Sequence, residues 1–252
     1  MRKLIEHKEA ADIESSSFNY ADRFAGEIGK YFLDVQEKIV VWMLSQLEGQ
    51  TVLDVGGGHG QITLPLVKKG YDVTVIGSSK VCNSLINENS EIKGCYKFIV
   101  GDLLNLPIRD RVYDFVVSFR LLPHVIEWKK LIGELTRIAK VGVLIDFPTI
   151  TSINIVSPLL FHIKKKIEKN TRPYFLFMAE SVKNEFEKNG FRCADIKGQY
   201  LFPMALHRWM GKNKALISLE GMARNCGLTD RIGSPVVMLA ANKNFHEARW
   251  GK

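Results

Sequence analysis

The first feature of this sequence that could do chemistry is an acidic residue followed by glycines at alternate positions. Asp54 stands near the end of a short apolar run, and Gly56, Gly58 and Gly60 follow it. Glycine adopts backbone angles that a Cβ forbids, and it lets the main chain approach a ligand closely. A helix that begins after such a turn presents unpaired N–H groups and the positive end of its dipole. The stretch therefore predicts a turn that binds an anionic or nucleotide-like ligand, and a tight turn without a ligand is the alternative.

Other polar and aromatic residues stand where further strands are predicted to end. Ser78 follows one apolar run and Asp102 follows the next, while Phe119, Arg120 and His124 come after a third. In a parallel sheet the ligand binds outside the carboxyl ends of the strands, so we expect these side chains to surround one cleft. Imidazole titrates near neutrality, which makes His124 a candidate general base. The alternative is a histidine that hydrogen-bonds locally at the start of a helix.

The elements that must position these residues alternate between strand-like and helix-like patterns. Apolar runs rich in β-branched residues predict buried strands, and segments with a period of about 3.6 residues predict helices. Such alternation predicts right-handed βαβ units and a parallel, doubly wound sheet, which is an α/β fold. The predicted strands cover residues 51–55, 71–76, 96–100, 112–119, 141–147, 191–200 and 235–241, and a helix over 31–47 precedes the first of them.

Several motifs together resemble the class I S-adenosylmethionine (SAM) dependent methyltransferases. The run VLDVGGGHG at 52–60 is similar to the first motif of that family, and GD at 101–102, LP at 106–107 and YDFVV at 113–117 are similar to its later motifs. This series looks like that of small-molecule enzymes, including the quinone C-methyltransferases. The resemblance implies a Rossmann-like, seven-stranded doubly wound sheet with an antiparallel last strand, plus helical lid or cap insertions. It also implies SAM as cofactor and methyl transfer to a small, hydrophobic or aromatic acceptor.

The resemblance also implies roles in cofactor binding. Asp54 would order the turn and the methionine end of SAM, and the three glycines would admit the backbone close to it. Asp102 with Leu103 would hold adenine, whereas a simple turn acid is the alternative for Asp102. Phe119 begins the loop that touches the cofactor in this family.

One position departs from the family pattern. Members usually carry an acid at the end of the second strand, where a carboxylate accepts both ribose hydroxyls, but Gly77 stands there in this chain. We expect a hydroxyl or backbone group of Ser78 or Ser79 to take over that contact. A neutral acceptor replaces a charged one, at a cost of about 1–2 kcal/mol.

Candidate acceptor contacts come from Tyr20, Arg120, Tyr174 and His207. Tyr20 precedes the N-terminal helix, where related enzymes often fold aromatic rings over the sulfonium, and ordinary helix packing is the alternative. Arg120 could pair with an anionic group of the substrate or cofactor, or with a surface acid. Tyr174 and His207 lie in aromatic segments that would suit the wall of an apolar pocket or the interior of a cap.

The same patterns predict one methyltransferase domain over residues 1–252, without repeats or linkers. Lysines at 164–166 and 169 oppose an apolar face, which indicates a lid helix with a solvated face rather than contact with an anionic membrane. The parts of the domain are an N-terminal helical cap (1–48), a SAM-binding core (49–147), lid or cap insertions (148–178 and 201–234) and the C-terminal part of the sheet (179–200 and 235–242).

Composition excludes little but sets the class. Of 252 residues, 46% are hydrophobic, and 35 basic against 27 acidic residues give a net charge of +8 that is spread along the chain. Four cysteines lack metal-type spacing, so we expect no metal site and free, mostly buried thiols in the cytoplasm. The N-terminus has no apolar signal core, and no run is long enough to span a bilayer. Nothing in the sequence predicts the oligomeric state.

Other functions stay open at this point. An NAD(P)-dependent Rossmann oxidoreductase would use the same turn, although no tyrosine is followed by a lysine four residues later, as the short-chain dehydrogenases require. Gly77 keeps open a catalytically silent SAM-binding module. The basic charge is the only feature that favours an RNA methyltransferase. We do not expect a nucleic-acid partner, because the Asn/Asp-Pro-Pro-Tyr loop of base amino-methylating enzymes is missing.

Overall fold

The computed structural model describes residues 10–150 and 174–244. Seven strands lie in one sheet, and ten α-helices surround it within these ranges. The strands are β1 (Thr51–Val55), β2 (Asp72–Gly77), β3 (Tyr96–Val100), β4 (Tyr113–Ser118), β5 (Ala139–Phe147), β6 (Phe191–Gly198) and β7 (Val236–Asn242). The helices are α1 (Ala11–Ser15), α2 (Phe18–Ala21), α3 (Gly26–Ser45), α4 (Thr63–Lys68), α5 (Ser84–Glu88), α6 (Trp128–Ile138), α7 (Ala179–Lys188), α8 (Met204–Met210), α9 (Lys214–Asn225) and α10 (Leu228–Ile232).

The strand order in the sheet is β3-β2-β1-β4-β5-β7-β6. Strands β1 to β5 pair in parallel, and β7 runs antiparallel between β5 and β6. The order reverses between β1 and β4, and ligands bind at such a switch point in open α/β sheets. The predicted doubly wound sheet with an antiparallel last strand is confirmed.

Apolar side chains fill both faces of this sheet. Helices α3 and α4 contribute to the cluster on one face, and α6 and α7 contribute to the cluster on the other. Helix α3 shows how the sequence dictates this packing, because its buried apolar residues recur at intervals of three and four. They are Phe32, Val35, Ile39, Val40, Met43 and Leu44.

Several boundaries differ from the predicted ones. Helix α3 begins at Gly26 rather than at residue 31, since Ala25 is already extended and the chain turns at Gly26 with φ of +71°. Helix α4 begins at Thr63, which places Pro65 in its first turn. Proline is tolerated in the first turn of a helix, where its missing N–H has no intrahelical partner.

The two predicted insertions fare differently. Helices α8, α9 and α10 lie within 201–234. The lysine-bearing helix predicted between 148 and 178 falls mainly on residues outside the described ranges. No described helix combines the length and apolar character that crossing a membrane requires. The prediction of mostly buried thiols was wrong, because Cys95 and Cys226 are exposed and only Cys82 is fully buried.

Candidate active site

The turn after β1 is built by glycines in the left-handed region of the backbone. Gly56 has a φ of +76° and Gly60 one of +71°, and such angles cost a residue with a Cβ roughly 1–2 kcal/mol. The Gly56 amide donates to the Ile76 carbonyl at 2.8 Å, and the Gly60 amide donates to the Gly57 carbonyl at 2.8 Å. The turn therefore lies at the carboxyl ends of β1 and β2.

Asp54 is buried next to this turn, with 1% of its surface exposed. Its Oδ2 accepts a hydrogen bond from Thr63 Oγ1 at 2.7 Å. Its Oδ1 has no hydrogen-bond partner in the part of the chain that is described. Desolvation raises the pKa of Asp54 to about 7, although the bond from Thr63 opposes the shift. A Cβ on Gly57 would overlap this carboxylate, so packing alone requires glycine there.

The end of β2 carries a carboxylate that the sequence analysis missed. Asp12 of α1 accepts hydrogen bonds from Ser78 N at 2.7 Å and from Ser78 Oγ at 2.6 Å. The Cys82 thiol donates to Asp12 Oδ2 at 3.2 Å. A Cβ on Gly77 would lie 3.3 Å from the same oxygen. The hydroxyl of Ser78, our predicted ribose contact, is therefore already bound to an acid from another part of the chain.

Asp102 and Leu103 follow β3 and lie beside the end of β2, since the Gly101 amide donates to the Gly77 carbonyl at 3.0 Å. Asp102 Oδ1 accepts from the Leu104 amide at 2.9 Å, which is a local turn interaction. Leu103 is fully buried. The two predicted adenine contacts are thus at the carboxyl edge of the sheet, and Asp102 also serves its own turn.

The loop after β4 holds Arg120 in an uncommon conformation. Its φ is +58°, and its amide donates to Asp146 Oδ1 at 2.5 Å. Nη2 donates to Gln36 Oε1 at 2.7 Å, and the guanidinium carbon lies 3.9 Å from the centroid of the Phe24 ring. Nη1 is buried and has no hydrogen-bond partner among residues 10–150 and 174–244. Phe119, just before it, is almost fully buried.

Asp146 is a second acid that the sequence analysis missed. It lies near the end of β5 with 4% of its surface exposed, and its Oδ2 accepts from Gln36 Nε2 at 3.4 Å. Desolvation raises the pKa of Asp146 to about 6, while the positive charge of Arg120 and the bond from its amide oppose the shift. A carboxylate inside the apolar run 143–147 is the sequence signal that could have identified it.

Near Arg120 lie two other predicted acceptor contacts, Tyr20 and Tyr174, and the candidate base His124. The rings of His124 and Tyr174 are 5.5 Å apart. Desolvation raises the pKa of Tyr174 to about 12, and the nearby Asp146 and Tyr20 add to the shift. Burial also raises the pKa of Tyr20, against a lowering by Arg120. The structure therefore brings Tyr20, Arg120, His124 and Tyr174 into one region at the ends of β4 and β5.

Comparison with known proteins identifies the segment that carries the turn. Residues 53–145 match the family model described as a methyltransferase domain. The segment that carries the turn is therefore similar to methyltransferase domains. The chain is similar to the demethylmenaquinone methyltransferase of Renibacterium salmoninarum, with 31% identity over 105 residues that make up 42% of this chain and 43% of that protein.

Other relatives differ in the acceptor that their names state. The ajmaline N-methyltransferase of Rauvolfia serpentina is 31% identical over 99 residues, which are 37% of this chain and 33% of that protein. The ubiquinone biosynthesis O-methyltransferase of Rickettsia akari is 26% identical over 195 residues, which are 70% of this chain and 74% of that protein. The chain thus spans less than half the length of the demethylmenaquinone and ajmaline enzymes that it matches.

Solved structures agree on the fold. The magnesium protoporphyrin IX methyltransferase from Synechocystis PCC 6803 with bound SAH has a TM-score of 0.60 at 17% identity, covering 91% of this chain and 97% of that one. A possible histamine N-methyltransferase from Thermotoga maritima has a TM-score of 0.62 at 16% identity, covering 93% of this chain and 99% of that one. At these identities the likeness shows the architecture.

The resemblance implies a SAM cofactor, and the glycine turn of this chain fits such a group on one side. The positive φ angles of Gly56 and Gly60 and the buried, unpartnered Asp54 Oδ1 all lie at the carboxyl edge of the sheet. On the other side the chain itself approaches the turn. A Cβ on Gly58 would overlap both the Cys82 carbonyl and the Ser16 hydroxyl.

His59 packs within the turn. It is 6% exposed, and its Nδ1 accepts from the Gln61 amide at 3.2 Å. Desolvation, followed by the charge of Arg120, lowers the pKa of His59 to about 3. The ring is therefore neutral at physiological pH, with Nδ1 as the acceptor for the Gln61 amide.

The structure corrects the role predicted for His207. Its side chain is fully buried in the cap, with Nε2 at 3.0 Å from Glu220 Oε1. The Glu220 carboxylate also accepts from the amides of Leu201 and Phe202, each at 2.9 Å. Phe32 of α3 packs edge-on against the imidazole with ring centroids 5.7 Å apart. His207 therefore joins the cap to α3 and offers no surface to an acceptor.

Two further observations concern the rest of the described residues. The described residues contain no group of three His, Cys, Asp or Glu side chains that could hold a metal ion. A cavity of about 330 Å³ lies at the opposite edge of the sheet, near the start of β4 and β6, and Arg137 and Asn189 are among its lining residues. That cavity is separate from the cluster around the glycine turn.

Proposed function

We propose that this protein transfers a methyl group from SAM to a small, hydrophobic or aromatic acceptor. The observation that carries the proposal is the meeting of two groups of residues at the ends of β1 and β4. One is the glycine turn with its two left-handed residues, and the other is the cluster of Tyr20, Arg120 and Tyr174. When bound, SAM supplies an electrophilic methyl group on a sulfonium.

The chain contributes positioning for the donor. Gly56 and Gly60 hold the turn in a conformation that other residues adopt only with strain. Asp54 orders the turn through Thr63 and presents its unpartnered Oδ1. Asp102, Leu103 and Phe119 are the proposed contacts of the adenosine and the adjoining part of the cofactor. Orienting two reactants in this way supplies much of the rate acceleration in group transfer.

The acceptor side combines aromatic rings with one cation. Tyr20 and Tyr174 offer apolar faces, and the buried Nη1 of Arg120 offers a free donor to an anionic or carbonyl oxygen. His124 lies with its ring 5.5 Å from that of Tyr174, within reach of a group held there. We assign it the role of general base for a hydroxyl acceptor. An amine acceptor that is already neutral needs no such base.

The experiment incubates the purified protein with isotope-labelled SAM and a panel of phenols, hydroquinones and aromatic amines. Release of S-adenosylhomocysteine together with a labelled product supports the proposal. His124→Asn should lower kcat at least tenfold for a hydroxyl acceptor and leave S-adenosylhomocysteine affinity within twofold. Glu127→Gln, close in sequence to the same loop, is the matched control. Binding of S-adenosylhomocysteine without turnover of any acceptor would favour the catalytically silent module, for which Gly77 is the sequence argument.

A further inference from the structure

Helix α1 lies where the ribose side of the proposed cofactor would bind. We infer that Asp12 and the segment 11–16 are an internal occupant of the cofactor cleft, which SAM must displace in order to bind. The inference rests on the proposed function and adds a competition between the chain and its cofactor. It assigns Asp12 a role in setting cofactor affinity, although Asp12 lies far from the glycine turn in sequence.

The hydrogen bonds of Asp12 hold α1 against the end of β2. Its carboxylate is fully buried and receives the amide and the hydroxyl of Ser78 and the thiol of Cys82. The neighbouring Ser15 and Ser16 are also buried, each with 4% of its surface exposed. Bonds to an ionised acceptor are stronger than neutral ones. The hydrogen bonds of the Asp12 carboxylate therefore account for the burial of this polar segment.

The contacts place α1 directly against the glycine turn. The position of a Cβ on Gly56 is 3.5 Å from Asp12 Cβ, which is ordinary van der Waals contact. At Gly58 the corresponding position overlaps the Ser16 hydroxyl. Because the ligand of such a sheet lies against the turn at the strand ends, α1 and the cofactor need the same space.

The glycine at position 77 allows the Asp12 carboxylate to pack at the end of β2. An acid at position 77 would place a second buried carboxylate next to that of Asp12, and two such charges in one site disfavour each other strongly. A side chain there would also meet Cys82 Cβ, since even a Cβ would lie 2.8 Å from it. The loss of the strand-two acid is thus what allows α1 to dock, and ribose hydroxyls can use Ser78 N and Oγ once Asp12 leaves.

The short length and the capping of α1 favour its displacement. Helix α1 has five residues and no side-chain N-cap bond, and isolated helices of this length are not stable in water. It is joined to α2 through Ser16 and Ser17, and Ser17 caps α2 through its hydroxyl. Ser17 Oγ also donates to the Glu14 carbonyl at 2.7 Å, so the joint between the two helices keeps a bond of its own when those of Asp12 are removed.

The test titrates S-adenosylhomocysteine into the full-length wild-type protein, Asp12→Ala and Glu14→Ala by calorimetry. Glu14 is the matched control, since it lies on the exposed side of the same helix. When a segment of the chain occupies the cleft in some of the molecules, the apparent affinity equals the intrinsic affinity multiplied by the fraction that is unoccupied. We expect Asp12→Ala to bind about tenfold more tightly than wild type and Glu14→Ala to bind within twofold of it.

Hydrogen exchange on the wild-type protein gives a readout that needs no variant. Ligand should speed exchange at amides 12–16 and slow it at the turn 56–60. Equal affinity of wild type and Asp12→Ala would overturn the inference, as would weaker binding by Asp12→Ala with slower exchange at 12–16, since Asp12 would then hold the ribose itself. Failure of all three proteins to bind S-adenosylhomocysteine would instead refute the proposed function.

Discussion

Substitution of Asp54 tests the electrostatics of the glycine turn. Asp54 is almost fully buried, one of its oxygens has no partner among the described residues, and desolvation raises its pKa to about 7. When folding raises the pKa of an acid, the acid is neutral in the folded state but ionised in the unfolded state at any pH between the two pKa values. Its contribution is therefore favourable at low pH and is lost as pH rises through the folded pKa. Asp54→Asn should remove this dependence.

The magnitude follows from the two pKa values. With an ordinary value of 3.8 and a folded value of about 7, the shifted pKa destabilises the folded state by about 4 kcal/mol at pH 8 and about 1.7 kcal/mol at pH 5. Asparagine keeps an oxygen for the Thr63 hydroxyl and carries no charge at any pH. The stability of Asp54→Asn relative to wild type should therefore increase by about 2.5 kcal/mol from pH 5 to pH 8.

Urea unfolding followed by circular dichroism at pH 5, 6, 7 and 8 measures this difference. Asp72→Asn is the control, because that acid is exposed and pairs with Lys97 at 3.4 Å. The control should change stability by less than about 0.5 kcal/mol across the range. A difference between Asp54→Asn and wild type that stays flat with pH, or grows toward acid, would refute a neutral buried carboxyl at the turn.

Three further predictions concern other parts of the protein. Asp146→Asn removes the charge that faces the guanidinium at the end of β4, so we expect KM for the acceptor to rise about fivefold with S-adenosylhomocysteine affinity unchanged, and a change in cofactor affinity alone would contradict this. His207→Ala removes the imidazole that is bonded to the buried Glu220 carboxylate and should lower the free energy of unfolding by about 3 kcal/mol. Urea unfolding measures this change, and a change under 1 kcal/mol would refute the buried pair. Gly60→Ala should cost about 1–2 kcal/mol because of its positive φ, while Gly221→Ala, in an open helical position, should gain about 0.5–1 kcal/mol; equal effects in thermal unfolding would refute the strained turn.

The central strands β1, β4, β5 and β7 were predictable because they are buried on both faces and read as apolar runs. The stretch 51–55 ends in glycines, and β2, β3 and β4 each follow a turn signal, so periodicity and composition located them within a few residues. The antiparallel last strand came from the family resemblance rather than from the residues. Boundaries such as the start of α3 at Gly26 were missed, because glycine in a helix start carries a weak local signal.

The candidate site was predictable only where function is marked by local sequence. The turn residues and Asp102 stand in recognisable motifs, whereas Asp12 and Asp146 act through contacts made in the folded chain. Asp12 meets Ser78 across 66 residues of sequence, and no period or spacing links them. His207 was assigned to the acceptor because aromatic neighbours surround it in sequence, yet those neighbours are the packing of the cap. The left-handed backbone of Arg120 also depends on Asp146 and could not be foreseen.

The central claim is that a SAM-type cofactor binds at the carboxyl edge of the sheet, against the glycine turn. A crystal structure of the full-length protein with S-adenosylhomocysteine tests it most directly. The account predicts the ligand across the ends of β1, β2 and β3, in contact with Gly56 and Gly58, with the Asp12 carboxylate no longer bonded to Ser78. A structure in which α1 keeps its present place and the ligand lies elsewhere, or in which NAD occupies the turn while S-adenosylhomocysteine does not bind, would contradict it.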